Sequence, residues 1–344
     1  MRLAIVTDAW RPQTNGVVTT LQCVIAALER IGHTISVIEP SKFRTVGLPS
    51  YPEIRVVVNP WRVGATIDAL APDAVHVATE GPLGWAARAH LVRRGTPFTT
   101  SLHTKFPEYL HARCGLPLAL GYAVLRAFHR PAAQTLVTTA GHRDELRARG
   151  FANLVVWGRG VDTVRFRPLA RGVRSEPRLL YVGRVAVEKN LEAFLSLDRP
   201  GRKVVVGDGP ARAALEARHP DVEWLGYRHG DALVAEYAEA DALVFPSLTD
   251  TFGLVMLEAM ACGTPVAAFP VTGPVDVVEE GVNGALDRDL GRAVDRALAV
   301  DRARCRAFAE RHGWEAIAQR FVDALCDSGF AGQPAATLAR LESA

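Results

Sequence analysis

Residues 240–269 read ADALVFPSLTDTFGLVMLEAMACGTPVAAF, and this one stretch predicts a strand, a loop, a helix and a second strand. Residues 242–245 form a short apolar run that is typical of a buried parallel strand, and a polar loop follows it. Over residues 252–262 the apolar side chains recur at helical spacing until Gly263 ends the helix. Residues 266–269 are again apolar, so the stretch indicates an α/β fold.

Two carboxylates stand out in this stretch, Asp250 in the loop and Glu258 on the helix. Glu258 interrupts an apolar helix face, and a carboxylate in such a place needs partners. The start of the helix also collects free backbone N–H groups, including that of Gly253, which a phosphate can approach closely. A sugar nucleotide has both hydroxyl groups, which carboxylates bind, and phosphates, which a helix start binds. This combination of residues therefore suits a sugar nucleotide. On its own, Glu258 would be better explained as an ordinary capped or paired helix carboxylate.

The stretch resembles the nucleotide-binding signature of retaining glycosyltransferases of family 4, which have the GT-B fold. Their pattern is two Glu residues eight positions apart around a Phe-Gly-Leu core. Here the core is Phe252, Gly253 and Leu254, the second carboxylate is Glu258, and Asp250 stands in place of the first Glu. The resemblance implies that Glu258 binds the ribose hydroxyls and that Asp250, shorter by a methylene, contacts the donor sugar.

The chain has 344 residues, of which 49% are hydrophobic, and two domains account for this length better than one. The resemblance implies two Rossmann-like parallel-sheet domains that face a cleft, with a C-terminal helix from Trp314 crossing back to the first. We expect residues 1–160 to bind the acceptor, residues 161–325 to bind the nucleotide sugar, and residues 326–344 to form a loosely held tail. Further strands are predicted at residues 3–7, 34–38, 54–58, 74–78, 97–102, 135–139, 154–156, 179–182, 203–206 and 222–225.

A seam between the two halves carries a second match to the family. Residues 158–162 read GRGVD and residues 166–168 read FRP, which resembles the family's Gly-Val-Asp followed by Phe-x-Pro. Arg159 stands where Asn is common. The resemblance therefore extends from the first loop to about residue 325.

The segment YVGRVAVEKN places Gly183, Arg184 and Lys189 after the strand predicted at residues 179–182. Two cations beyond the carboxyl end of a strand can clamp a diphosphate. The family has an Arg and a Lys at these positions. The resemblance implies that the two cations stabilise the negative charge that develops on the leaving diphosphate, without a metal. The alternative is a solvated pair at a helix start, where cations oppose the helix dipole.

Two other loops contain glycines that permit close contact with a ligand. Gly207 and Gly209 follow the strand at residues 203–206, and they indicate either approach to a ligand or a tight turn. The family places the nucleotide base near this loop and near Tyr227. In the first loop, Asn15 and Gly16 match a family segment that faces the donor phosphates; an ordinary strand-to-helix turn explains them equally well.

His103 follows a predicted strand, and its imidazole can donate a hydrogen bond to a sugar hydroxyl. Most lone histidines are structural, but a His after the corresponding strand contacts the donor sugar in the family. Lys105 and Tyr109 are expected on the acceptor side of the cleft. Glu80 is exposed by the Gly-Pro turn that follows it, and either holds an acceptor hydroxyl or caps the next helix.

The sequence predicts no cofactor and no essential metal. A DxD-like triplet at residues 287–289 resembles the metal-binding motif of the other large glycosyltransferase fold. It follows an Asn-Gly turn and precedes a helix, so helix capping explains it better.

The charge is unevenly distributed, with 20 Lys and Arg against 11 Asp and Glu in residues 1–170, and 20 against 26 in residues 171–344. A basic half can mark an anionic partner. Because no nucleic-acid motif accompanies it, we expect an anionic membrane surface and no nucleic acid. The apolar stretch 116–130, basic at one end, either enters that surface or forms a partly buried helix, and the sequence alone favours the helix.

The expected location is cytoplasmic, with peripheral attachment to the inner face of the plasma membrane. The N-terminal residues read as a first strand instead of a secretion signal, and no apolar run has the length of a membrane span. The five Cys are scattered and odd in number, which suits a reducing compartment.

The segments VATEGPLGWAAR and YVGRVAVEKN look like a bacterial branch near lipid glycosyltransferases and GDP-mannose-dependent mannosyltransferases. The resemblance implies transfer of a hexose, with retention, from UDP-glucose or UDP-glucuronate to a membrane lipid such as diacylglycerol. Two alternatives stay open: an α-mannosyltransferase that uses GDP-mannose on a lipid or soluble glycan, and a non-catalytic protein that binds sugar nucleotides. A nicotinamide-dependent oxidoreductase is disfavoured, because the dinucleotide fingerprint is missing.

Overall fold

A computed structural model describes residues 1–13, 15–48, 51–172 and 174–329. The strands are β1 Arg2–Val6, β2 Thr34–Ile38, β3 Thr45–Leu48, β4 Tyr51–Val57, β5 Ala74–Val77, β6 Thr99–Leu102, β7 Gln134–Val137, β8 Leu154–Val156, β9 Arg178–Val182, β10 Arg202–Val206, β11 Glu223–Gly226, β12 Ala242–Phe245, β13 Val266–Ala268 and β14 Gly284–Leu286. The helices are α1 Gly16–Arg30, α2 Val63–Leu70, α3 Pro82–Arg94, α4 Phe106–Cys114, α5 Leu118–His129, α6 Ala140–Ala148, α7 Leu191–Leu195, α8 Arg212–Arg218, α9 Gly230–Glu239, α10 Leu254–Ala261, α11 Pro274–Val277, α12 Leu290–Ala297, α13 Arg302–Glu310 and α14 Trp314–Cys326.

The strands form two six-stranded parallel sheets, in the orders β2-β1-β5-β6-β7-β8 and β11-β10-β9-β12-β13-β14. The central strands of both sheets are buried on both faces, as the apolar runs of the sequence predict. The predicted α/β architecture of two Rossmann-like domains is confirmed. Along the chain, β8 is the last strand of the first sheet and β9 is the first strand of the second. The domain boundaries at residues 160 and 325 remain predictions.

The prediction for residues 54–58 was wrong in one respect. Residues 54–57 belong to β4, which pairs with β3 in a separate antiparallel hairpin and does not join the parallel sheet, and residue 58 lies beyond its end. The sequence pattern does not predict β3 and β14, each of which contains a glycine that lowers strand propensity. In β14 the glycine is needed, because a Cβ atom on Gly284 would lie 2.2 Å from the Val266 carbonyl oxygen.

The C-terminal helix α14 packs on the first domain, as predicted. Its buried side chains Trp314, Ile317 and Phe321 share one hydrophobic cluster with Leu3 and Leu21 of β1 and α1. The ring of Phe321 lies 5.2 Å from the ring of Trp157, measured between centroids. The chain therefore closes on itself beside the seam that links the two sheets. Of the predicted tail, residues 330–344 lie outside the described residues.

Among the described residues, no helix combines the length and the apolar character that a bilayer span requires.

We predict that Phe321→Ala lowers the free energy of unfolding by about 3–5 kcal/mol, since it leaves a cavity where α14 meets the first sheet. Urea denaturation followed by circular dichroism measures this change. The control is Val92→Ala on α3, whose side chain is 46% exposed and whose loss we expect to cost about 0.5 kcal/mol at most. Equal effects of the two substitutions would contradict the packing described here.

Candidate active site

A cleft of about 1470 Å³ opens between the two sheets, where the loops that follow the strands of each sheet face each other. Most of the residues that the sequence singled out line it: Asn15, Gly16, Glu80, His103, Tyr109, Gly183, Arg184, Lys189, Gly207, Tyr227, Asp250, Phe252, Gly253, Leu254 and Glu258. Two of them, Lys105 and Gly209, do not line it.

The two charged loops of the second sheet are joined by an ion pair. The Lys189 ammonium donates to Asp250 Oδ1 at 2.6 Å, and each side chain is about one-fifth exposed. Burial disfavours the ammonium, but the charge and hydrogen bond of Asp250 together with the phenols of Tyr109 and Tyr181 outweigh it, so the pKa of Lys189 lies above its ordinary value. Lys189 is therefore a fixed cation at neutral pH. Arg184 lines the same cleft and is half-buried.

Glu258 is held on α10 with its carboxylate toward the cleft. The hydroxyl of Tyr237, a fully buried residue of α9, donates to Glu258 Oε2 at 2.7 Å. Burial raises the pKa of Glu258, while the Tyr237 hydroxyl and the charge of Arg165 act in the opposite direction. One carboxylate oxygen thus accepts a hydrogen bond from the protein. Burial of the charged carboxylate remains unfavourable unless a ligand supplies further hydrogen bonds.

Gly253 is the residue before α10 and has a φ of +84°. A Cβ atom there would lie 2.8 Å from the Phe245 ring and 3.0 Å from the Met256 methyl group. Glycine is therefore required both by the backbone conformation and by packing. It leaves the N-terminal backbone of α10 open to the cleft, as the sequence predicted.

The glycines after β9 and β10 serve the packing of one loop on the other. A Cβ on Gly207 would lie 1.9 Å from the Gly183 carbonyl oxygen, and one on Gly209 would lie 2.3 Å from the Val185 carbonyl oxygen. The loops are also hydrogen-bonded, since the Val185 amide donates to the Asp208 carbonyl at 3.0 Å. The sequence left open approach to a ligand or a tight turn; Gly209 does not line the cleft, and the close packing of the two loops explains it instead.

Asn15 is the N-cap of α1. Its Oδ1 accepts from the amides of Val17 and Val18 at 3.0 Å each, and its Nδ2 donates to Gln13 Oε1 at 3.1 Å. The side chain is thus used to start the helix, as in an ordinary strand-to-helix turn. At Gly16 a Cβ atom would lie 3.9 Å from Leu254 Cδ1 of the second domain.

His103 lines the cleft, but both of its ring nitrogens contact protein groups. Nδ1 accepts from Arg159 Nη2 at 2.7 Å, which leaves the proton on Nε2, 2.7 Å from Ser101 Oγ. Burial, together with the charge of Arg159, lowers the pKa of His103 well below its usual range, so the ring is neutral. The expected hydrogen bond to a sugar hydroxyl therefore requires a ring nitrogen to change partner.

The three residues assigned to the acceptor side have different surroundings. Glu80 Oε1 lies 3.2 Å from Nε2 of the buried His129. Tyr109 lies beside Lys189, and burial raises the pKa of its phenol. The expectation for Lys105 was wrong, because its ammonium is buried against Glu145 at 2.7 Å, away from the cleft.

Hydrogen bonds that no sequence motif predicts join the two domains at the cleft. Thr251 Oγ1 donates to the His103 carbonyl at 2.7 Å, and Thr138 Oγ1 donates to the Thr251 carbonyl at 2.8 Å. Thr251 directly follows Asp250, so these bonds position the carboxylate against the first domain. No sequence pattern could have identified these hydrogen bonds, because the partners are more than 100 residues apart in the chain and meet only in the folded structure.

The DxD-like triplet has the predicted capping role. Asp289 Oδ1 accepts from the amides of Gly291 and Arg292 at the start of α12, and Asp287 Oδ1 accepts from the Asp289 amide at 2.9 Å. Across the part of the chain that the structure describes, no group of three or more His, Cys, Asp or Glu side chains is arranged to hold a metal ion.

The stretch 116–130 contains α5, which is only partly buried. Leu120 and Val124 lie four residues apart on one helix face and are 53% and 49% exposed. Phe106, at the start of the neighbouring α4, is 53% exposed and lines the cleft with Val124. An apolar surface therefore leads from the cleft to solvent on the first domain.

We predict that Glu258→Gln stabilises the protein at about pH 8 and has less effect at about pH 5. Because the folded-state pKa of Glu258 is raised, its contribution to stability is present below the unfolded-state value near 4.3 and is lost as pH rises through the folded-state value. Gln has no such titration. Urea denaturation at the two pH values measures the difference, with the exposed Glu279→Gln as control. A gain that does not grow with pH would exclude a raised pKa.

Comparison with known proteins identifies the family. Residues 14–165 match the model of Glycosyltransferase Family 4, and residues 176–300 match that of Glycosyl transferases group 1. A GDP-mannose-dependent alpha-mannosyltransferase of Mycobacterium tuberculosis is 31% identical over 316 residues, which cover 83% of each chain. The enzyme of the same description from Corynebacterium glutamicum is 29% identical over 95% of this chain and 87% of its own. The sulfoquinovosyl transferase SQD2 of Arabidopsis thaliana is 30% identical over 78% of this chain and 59% of its own.

Solved structures share the fold. Sucrose-phosphate synthase from Thermosynechococcus elongatus superposes with a TM-score of 0.78 at 21% identity, covering 96% of this chain and all of its own. HepE from Anabaena, solved with UDP-glucose, superposes with a TM-score of 0.72 at 16% identity, covering 95% of this chain and 99% of its own. The chain belongs to glycosyltransferase family 4, has the GT-B fold, and transfers a sugar from a nucleotide sugar.

Proposed function

We propose that this glycosyltransferase moves mannose from GDP-mannose to a lipid acceptor, with retention at the anomeric carbon. The donor assignment differs from the UDP-hexose that the sequence favoured, because two of the relatives described above are GDP-mannose-dependent enzymes over most of their length. The observation that carries the proposal is one cleft that combines the Lys189–Asp250 ion pair with the carboxylate of Glu258.

In the proposed complex, Arg184 and Lys189 hold the diphosphate and Glu258 accepts from the ribose hydroxyls. Lys189 is suited to this role because it stays charged, and because a phosphate oxygen can share its ammonium with Asp250. Glu258 is suited because Tyr237 occupies one of its oxygens and leaves the other for a hydroxyl. The open N-terminus of α10 adds backbone donors for an anion.

The proposed chemistry is attack of the acceptor hydroxyl on the anomeric carbon from the face of the leaving diphosphate. The bond between the anomeric carbon and the diphosphate oxygen breaks, and a phosphate oxygen takes the proton of the acceptor. The cations stabilise the growing charge on the leaving group, and we propose that no metal is essential. Asp250 orients the donor sugar, and the contacts of Thr251 with the first domain keep water from the closed site.

The acceptor is proposed to be a lipid such as diacylglycerol or a glycosylated form of it. Phe106, Leu120 and Val124 offer an apolar surface for an acyl chain at the edge of the cleft. The excess of Lys and Arg in residues 1–170 favours an anionic membrane that supplies such a lipid.

A second candidate donor is a UDP-hexose, including UDP-glucose and UDP-glucuronate. It is supported by the 30% identity to the sulfoquinovosyl transferase, whose sugar is not mannose, and by the UDP-glucose complex of HepE. A non-catalytic sugar-nucleotide-binding protein is the remaining alternative, and it predicts binding without turnover.

We predict a mannosylated lipid from GDP-mannose, detected by mass spectrometry with diacylglycerol in anionic vesicles and EDTA present. Lys189→Ala should reduce the rate by about 10²–10³-fold, because it removes a cation that stabilises the leaving group and leaves Asp250 unpaired. Lys203→Ala, a matched loss of an ammonium that contacts the Leu195 carbonyl outside the cleft, should retain the rate. A glycolipid formed only from UDP-glucose or UDP-glucuronate would show that the donor is a UDP-hexose and not GDP-mannose. Donor binding without any product would support the non-catalytic alternative.

We predict that the double variant Leu120→Asp and Val124→Asp lowers transfer to vesicle-borne acceptor by about tenfold or more, since charge on this face opposes contact with acyl chains. Binding of GDP-mannose, measured by calorimetry, should not change. Val92→Asp, on the exposed side of α3, is the control. Unchanged transfer in the double variant would show that the acceptor does not bind at this apolar surface.

A further inference from the structure

Arg159, the residue that departs from the family's usual Asn, lies buried at the floor of the cleft. Its side chain lines the cleft although the residue is only 5% exposed. Nη1 donates to the Gly158 carbonyl at 2.6 Å and Nη2 donates to His103 Nδ1 at 2.7 Å. The guanidinium carbon lies 4.5 Å from the centre of the Trp157 ring, so one face of the group is covered.

Arg159 is a cation without a compensating carboxylate in the part of the chain that the structure describes. None of the Asp and Glu side chains there comes within ion-pair distance of it, whereas Lys189 and Lys105 each have an acidic partner. Its charge acts on the imidazoles of His103 and His142. Burial and nearby cations lower the pKa of both imidazoles, that of His142 to about 4, so both are neutral at pH 7.

The charge of Arg159 is nevertheless retained. Burial lowers its pKa to about 9, which leaves the guanidinium protonated at neutral pH. A buried cation without an anionic partner is unfavourable, and the contact with Trp157 offsets only part of that cost. Two hydrogen bonds also leave other N–H donors of the planar fork unused.

We propose that Arg159 binds an oxyanion carried by the substrate, in addition to the donor diphosphate. The chemistry is that of a carboxylate, a sulfonate or a phosphate ester, because these groups match the planar donor fork of a guanidinium. This inference rests on the proposed function and narrows its substrates: mannose and diacylglycerol are neutral, so the anion is a substituent of an acidic donor sugar or of an acidic acceptor. Arg159 is bonded to His103 of the first domain, whereas Lys189 is paired within the second, so the two cations serve different parts of the bound substrates.

Matched substrate pairs that differ by one acidic group test this site without requiring turnover. The donor arm compares UDP-glucuronate with UDP-glucose and GDP-mannuronate with GDP-mannose by calorimetry. The acceptor arm compares a short-chain phosphatidate with the corresponding diacylglycerol on the GDP-saturated protein. We expect the acidic member of a pair to bind about tenfold more tightly in one arm, and that arm identifies the source of the anion.

Two variants separate charge from support of His103. Arg159→Gln retains an N–H donor for His103 Nδ1 but removes the charge, and should bring the ratio of acidic to neutral affinity near one with little change for the neutral member. Arg159→Lys keeps the charge and should keep most of the ratio. No acidic preference in either arm, or a preference that Arg159→Gln leaves intact, would overturn the proposal. Because affinity is the readout, absence of transfer in the product assay would reject the proposed function separately.

Discussion

The ion pair between Lys189 and Asp250 is the contact on which the rest of the cleft depends. It joins the loop after β9 to the loop after β12, and the next residue, Thr251, hydrogen-bonds the backbone of His103 in the first domain. One short segment therefore connects the loop that carries Lys189, the loop that carries Asp250 and the opposite wall of the cleft. An ion pair with limited access to water is much less screened than one on the surface, and it can hold these loops in a fixed arrangement.

The packing of glycines behind the ion pair makes this arrangement possible. The loops that follow β9 and β10 approach so closely that side chains on Gly207 and Gly209 cannot be accommodated. The cations are consequently presented by a rigid backbone layer. Rigid presentation matters for electrostatic stabilisation, because charges that are already oriented need no reorganisation when the leaving group gains charge.

Several groups in the cleft are held at an energetic cost. The carboxylate of Glu258 is buried with a raised pKa, and the guanidinium of Arg159 has no acidic partner among the described residues. The neutral His103 accepts a hydrogen bond from Arg159. The hydrogen-bond chain extends from His103 through Ser101 to the buried His76, whose Nε2 lies 3.1 Å from Ser101 Oγ. Buried polar groups that are not fully compensated concentrate at sites where a ligand completes them.

The sequence by itself determined the alternation of strands and helices, the family, and the identity of the residues that line the cleft, from Lys189 to Glu258. These features depend on local periodicity and on short motifs, which are properties of neighbouring residues. Only the tertiary structure decided that Lys105 is buried against Glu145, that both nitrogens of His103 are engaged, and that β4 leaves the parallel sheet. The physical reason is that burial and hydrogen-bond partners come from segments far apart in the chain, and no local pattern encodes which of these segments meet.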